Sequence, residues 1–142
     1  AAVMRRVLET VGPERIAQVG VRSLSAEEAA ECPGQVARLI TPHIVRERPD
    51  WIDLVLERLE GPVYVTIDID GFDPAEAPGT GTPEPGGLRW HEVTGLLRRV
   101  CAERRVVAAD VVEVRPLPGS VQTEFLAARL AAKIVAYTQT HE

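Results

Sequence analysis

Lysine is nearly missing from this chain: Lys133 is the only one among 16 basic residues in a sequence of 142. Against 21 Asp and Glu this gives a formal net charge of -5, so no basic field exists to draw in nucleic acid or an anionic membrane. The lack of a Gly-Lys-Ser/Thr run likewise excludes a phosphate-binding loop. Cysteine is scarce too. Cys32 and Cys101 form no close pair and have no zinc spacing, so the expectation is buried reduced thiols in a cytoplasmic protein. No apolar run is long enough to cross a bilayer or to serve as a signal peptide, and there are no repeats or low-complexity tracts. Histidine occurs three times. His43 falls on a short helix, His91 at a helix start and His141 at the chain end, so none is expected to act as a ligand.

What is present is a strand that runs into acid. In Val63-Tyr64-Val65-Thr66-Ile67-Asp68-Ile69-Asp70, strand alternation puts Val63, Val65, Ile67 and Ile69 on one face and Tyr64, Thr66, Asp68 and Asp70 on the other. Asp68 and Asp70 then share a face about 6–7 Å apart, suited to gripping divalent cations, at the carboxyl end of a strand where α/β sheets bind ligands. Asp73-Pro74 is expected to start a turn. The following loop, residues 77–88, holds four glycines and three prolines and is expected to form a wall of the site.

Taken in order, helical spacing of Val3, Met4, Val7 and Leu8 predicts a first helix ended by Gly12-Pro13. Ile16 to Val21 reads as a short strand. Ser25 and Glu28 form a capping box for a helix to about Cys32, with Pro33-Gly34 as its break. Val36 to Ile40 is a candidate strand, and Thr41-Pro42 starts a helix to Arg48. A further helix spans Trp51 to Leu59 with Asp50 as its cap. Val93, Leu96, Leu97, Val100 and Cys101 mark a helix face. Val106 to Val114 reads as a central parallel strand, apolar on both faces except for Asp110 and Glu113. Glu113 is either a strand-end site residue or the ion-pair partner of Arg115. Leu126, Leu130, Ile134 and Tyr137 define a closing helix. Strand and helix alternate, so the fold class is α/β with a parallel sheet and flanking helices, and so few strands imply a sheet that is incomplete.

A calcium loop counted from Asp68 fails, because its sixth position is Asp73 where Gly is needed and its twelfth is Gly79 where Glu is needed. A haloacid-dehalogenase-like phosphatase, with Asp68 as nucleophile and Asp70 as acid, is a distant alternative that lacks its downstream lysine. A third reading fits more of the chain. The run from Thr66 to Pro74, the Gly-Thr-Gly-Thr-Pro-Glu-Pro-Gly-Gly segment of the loop, Asp110-Val111-Val112-Glu113-Val114-Arg115-Pro116 and Gln18-Val19-Gly20-Val21-Arg22 together resemble the arginase/agmatinase family of ureohydrolases. Ser23-Leu24-Ser25 and the loop look closer to agmatinase than to arginase.

The resemblance implies an arginase-like three-layer α/β/α domain and two manganese ions. Asp68 would bridge both ions and Asp70 would bind one. Glu113 would hold a guanidinium substrate, and Thr82 would line the same pocket. A hydroxide shared by the metals would release urea and putrescine from agmatine. The family's remaining ligands, two histidines and two aspartates, come from Gly-Gly-x-His and Asp-x-His-x-Asp motifs that are absent here, and a further histidine would lie just upstream of Ala1. Residues 1–142 are therefore expected to be the C-terminal half of such a domain, inactive alone, with an open sheet edge where strands of the N-terminal half belong and a homo-oligomer as its complete form. A non-catalytic interaction module of the same fold is the alternative.

Overall fold

A computed structural model of the chain describes residues 2–31, 34 and 38–139. The chain divides into two compact units, residues 1–60 and 61–142.

In the first unit, α1 (Ala2–Val11) stops where Gly12 takes φ 84 and its N–H donates to the Leu8 carbonyl at 3.1 Å. This left-handed end is one that glycine adopts without steric cost. The strand expected over Ile16 to Val21 does not form. Val19 makes one parallel bridge to Ile40, and Gly20, at φ 89, turns the chain away after it. α2 (Ala26–Glu31) opens with the expected reciprocal cap: the Glu28 N–H donates to Ser25 Oγ at 3.1 Å, and the Ser25 N–H to Glu28 Oε2 at 3.2 Å. Cys32, Pro33 and, of the expected strand, Val36 and Ala37 lie outside the described residues, and over Arg38 to Ile40 only the single bridge at Ile40 forms. α3 (Pro42–Glu47) is capped by Thr41, whose hydroxyl accepts the Ile44 N–H.

Asp50 does not cap α4 (Trp51–Leu56) through its side chain. Its carboxylate is held instead by Arg48 at 2.6 and 3.0 Å, and that hydrogen bonding lowers its pKa. Two steps of sequence separate the charged pair, and the guanidinium outcompetes the helix N–H groups for the same oxygens. α4 also ends short of the expected Leu59. Among the described residues Ile16, Leu39, Ile40, Val45, Trp51, Val55 and Leu56 are the unit's buried hydrophobic side chains.

The second unit is a strand-helix-strand arrangement followed by a helix. β1 (Val63–Asp68) pairs in parallel with β2 (Val106–Val112), joined through α5 (Trp90–Glu103), and α6 (Gln122–Thr138) follows. α6 packs on α5 and on β2. The expected apolar faces supply this core: Val93, Leu97, Val100 and Cys101 from α5, Leu130 and Ile134 from α6, and Val63, Ile67 and Ile69 from the acidic strand and its continuation. A parallel sheet with flanking helices is thus the architecture, as the alternation predicts.

β2 departs from its expectation in two ways. It ends at Val112, two residues early, because Glu113 leaves the extended region at φ 63. It is also no buried central strand: among the described residues it pairs with β1 alone, and Val107 and Val112 are 52% and 40% exposed. An apolar strand open along one edge is the incomplete sheet that its composition implies.

Candidate active site

β1 delivers Asp68, and there the alternation stops. The Asp68 carboxylate accepts the Asp70 N–H at 2.8 Å, which curls Ile69–Gly71 into a 3₁₀ turn closed by the Phe72 N–H on the Ile69 carbonyl at 3.0 Å. Asp70 therefore reaches the strand's carboxyl end through a turn rather than as the next same-face position of a strand. Ile69 is fully buried beneath it, so the turn is pinned by packing as well as by hydrogen bonds. The Asp68 carboxyl is held above its usual pKa, first by desolvation and then by the nearby charges of Asp70 and Glu113, while the bond from the Asp70 amide opposes them. Like charges crowded at a strand end are what a bound cation relieves.

The Gly/Pro loop is tied down at several points. Asp73 does what its sequence context predicts: its two carboxylate oxygens accept the Ala75 N–H at 3.0 Å and the Gly86 N–H at 2.8 Å. The Leu88 N–H donates to the Gly71 carbonyl at 2.9 Å, and the Asp73 N–H returns the bond to Leu88 at 2.9 Å. Gly79 is bracketed between α6 and the segment after β2. Its N–H donates to Thr123 Oγ1 at 2.7 Å, and its carbonyl accepts the Arg115 N–H at 2.8 Å.

Fixed in this way, the loop turns two hydroxyls onto Asp70. Thr80 Oγ1 contacts Asp70 Oδ1 and also lies 3.0 Å from the Glu113 carbonyl oxygen, and Thr82 Oγ1 donates to Asp70 Oδ2. Thr80 is 5% exposed. Sequence reasoning singled out Thr82 and passed over Thr80, although a threonine set between two glycines is a signal that the side chain, not the backbone, fills that position.

Glu113 is the only non-glycine residue at positive φ among the described residues. Holding a side chain there costs on the order of 1–3 kcal/mol and persists where surrounding bonds impose it. Its carboxylate reaches toward the loop, since a Cβ built on Gly81 would stand 3.8 Å from Glu113 Oε2. No ion pair with Arg115 forms; that residue's backbone is engaged with Gly79 instead. Asp110, given no role of its own in the sequence reading, is clamped across the strand pair by the hydroxyls of Tyr64 and Thr66, the latter at 2.6 Å. His43 pairs with Glu47 at 3.1 Å, His91 is exposed on α5, and His141 lies outside the described residues.

The donors suit a hard divalent cation in kind, since both are carboxylates, but not in number. Among the described residues no group of three or more His, Cys, Asp or Glu could hold a metal, and such cations take about six ligands. Two hollows lie away from these carboxylates. One of about 290 Å³ is bounded by Cys101 and Arg105, and one of about 610 Å³ by Trp90, Phe125 and Lys133.

Acids gathered at the carboxyl ends of adjacent parallel strands, beside a pinned Gly/Pro loop, make the strand tips the candidate site of an α/β protein. The chain belongs to the arginase family, whose model matches residues 1–136. It is 38% identical over 138 residues to the N(1)-aminopropylagmatine ureohydrolase of Synechocystis sp., covering 96% of this chain and 44% of that protein. It is also 38% identical over 138 residues to the agmatinase of Bacillus subtilis, covering 93% and 44%. Among solved structures, the agmatine ureohydrolase of Thermoplasma volcanium superposes with a TM-score of 0.84 at 36% identity, covering 96% of this chain and 46% of that one. The chain spans less than half the length of these relatives, and its fold is the C-terminal portion of an arginase-like α/β domain.

Proposed function

We propose that residues 1–142 form the C-terminal half of an agmatinase-like ureohydrolase domain and contribute the carboxylate side of a site for two manganese ions. In this reading Asp68 and Asp70 would be this chain's ligands to the metal, with the rest supplied from elsewhere. When bound, manganese would supply the acidification of a water molecule that hydrolysis at neutral pH needs. Glu113 offers the substrate guanidinium a charge-assisted partner, and Thr82 lines the same pocket while steadying Asp70. Water is added across the guanidinium carbon, and agmatine yields urea and putrescine. The remaining ligands come from an N-terminal half, without which the chain is inactive, and the complete enzyme is a cytoplasmic homo-oligomer.

The observation that carries this reading is the convergence of Asp68 and Asp70 at the end of β1 with Glu113 just beyond β2, where the Thr80 hydroxyl contacts both Asp70 and the Glu113 carbonyl. Agmatine is the substrate of choice because Ser23-Leu24-Ser25 and the loop resemble agmatinases. The Synechocystis relative is named for N(1)-aminopropylagmatine, so that amine belongs in the test.

Manganese-dependent urea release is measured with agmatine, N(1)-aminopropylagmatine, arginine and guanidinobutyrate, using the chain alone and the chain extended through its upstream coding region. Urea from agmatine with the extended chain only is the expected result. No urea from either form, with the protein folded and metal bound, would sink the hydrolase reading and favour a non-catalytic module.

A further inference from the structure

We propose that Thr80 is a positioning residue that locks the metal-side carboxylate of Asp70 to the backbone turn that presents Glu113, and so sets the separation between metal and guanidinium sites. The inference rests on the ureohydrolase reading above and gives Thr80 a role which that reading leaves unassigned.

Three observations converge on the hydroxyl. Thr80 is 5% exposed and held on a loop whose preceding residue, Gly79, is bonded on both sides, so the position of its Cα is imposed from outside the site. Its Oγ1 contacts both Asp70 Oδ1 and the Glu113 carbonyl. Glu113 itself sits at φ 63, a conformation that side chains rarely adopt and that surrounding bonds must impose. A hydroxyl carries one proton, and an ionised carboxylate and a carbonyl can only accept. Thr80 therefore shares its donor between the two halves of the site. Removing it releases both at once: Asp70 loses one of its two threonine partners, and the Glu113 turn loses a bond at its carbonyl. Thr82 cannot substitute, because its contact is to Asp70 Oδ2.

The test compares Thr80→Val, which keeps the shape without the hydroxyl, with Thr80→Ser, which keeps the hydroxyl without the methyl, in the chain extended through its upstream coding region. Manganese affinity and stoichiometry are read by electron paramagnetic resonance, and kcat and KM by urea release. Thr80→Val is expected to weaken binding of one of the two ions by about 10–100-fold, the usual loss when an outer-shell partner of a ligand is removed. KM for the guanidinium substrate should rise as well, while Thr80→Ser stays within about threefold of the parent on both.

Wild-type ion affinity and KM in Thr80→Val would overturn the proposal. So would a Thr80→Ser variant as impaired as a Thr80→Ala variant measured beside it, a comparison that also decides the matter should the valine variant fail to fold. If the parent binds manganese but releases no urea, the ureohydrolase reading fails by itself, and the ion affinities still decide whether Thr80 orders Asp70.

Discussion

Gly79 shows how a residue with no side chain governs the site. A Cβ there would stand 2.6 Å from the Arg115 carbonyl oxygen and 2.8 Å from Thr123 Oγ1, atoms of the two residues that bond the Gly79 backbone. Gly79→Ala should therefore destabilise the chain by about 1–3 kcal/mol, the usual cost of overpacking. Urea denaturation is the check, and a midpoint unchanged from the parent would refute the bracketing. The two tyrosines supply a second residue-scale prediction. Tyr64 is raised in pKa, first by its hydrogen bond to Asp110 and further by that carboxylate's charge, both of which disfavour the phenolate. Tyr137 is lowered: partial burial opposes ionisation, but the hydrogen bonds and charges of Lys133 and Arg98 outweigh it. Because a raised acid loses its proton later, an absorbance titration should show Tyr137 ionising first. Tyr64→Phe should remove the later step, and loss of the earlier step instead would contradict the assignment.

α6 is an element whose buried face does more than close the core. Thr123, 2% exposed in its first turn, accepts the Gly79 N–H, so the helix holds the loop through one hydroxyl. Thr123→Val keeps the volume and orphans a buried donor. A loss of about 1–3 kcal/mol in stability is expected, with the amide of Gly79 exchanging faster with solvent. Unchanged exchange at Gly79 would show that the bond does not anchor the loop.

Such long-range bonds mark the limit of what the sequence discloses. The helix faces were legible because periodicity is local: Val93, Leu97 and Val100, and Leu130 and Ile134, are buried as their spacing requires. The acidic strand was legible as far as Asp68. Beyond it, a side chain accepting a backbone N–H two residues on turned strand into 3₁₀ helix, and alternation alone carries no sign of that competition. The link from Thr80 to Glu113 and the clamp of Tyr64 and Thr66 on Asp110 escaped because those partners lie about thirty to forty-five residues away in sequence, across a crossover that only the fold closes. At β2 the composition specified a buried strand, and the exposure reflects the lack of a neighbour along that edge among the described residues.

That open edge decides how the whole molecule should behave. A parallel strand that pairs along one side only among the described residues, and with Val107 and Val112 exposed, is a template for another strand. A net charge of -5 opposes association only weakly once salt shortens its range to about 8 Å. The chain alone should therefore self-associate as its concentration rises, and sedimentation velocity would follow the shift. Val107→Lys places a charge on the exposed strand and should hold the chain monomeric with its circular dichroism unchanged, since the parent side chain is 52% exposed and gives up little packing. Extension through the upstream coding region should have the same effect by a different route, because strands of the N-terminal half would occupy the edge. If the extended form is monodisperse and Val107→Lys within it is destabilised, the valine has become buried there, as a central strand requires. If the valine variant is instead neutral in the extended form while the short chain is monodisperse without it, the edge is closed by something else, and the incomplete sheet ceases to be an argument for a missing half.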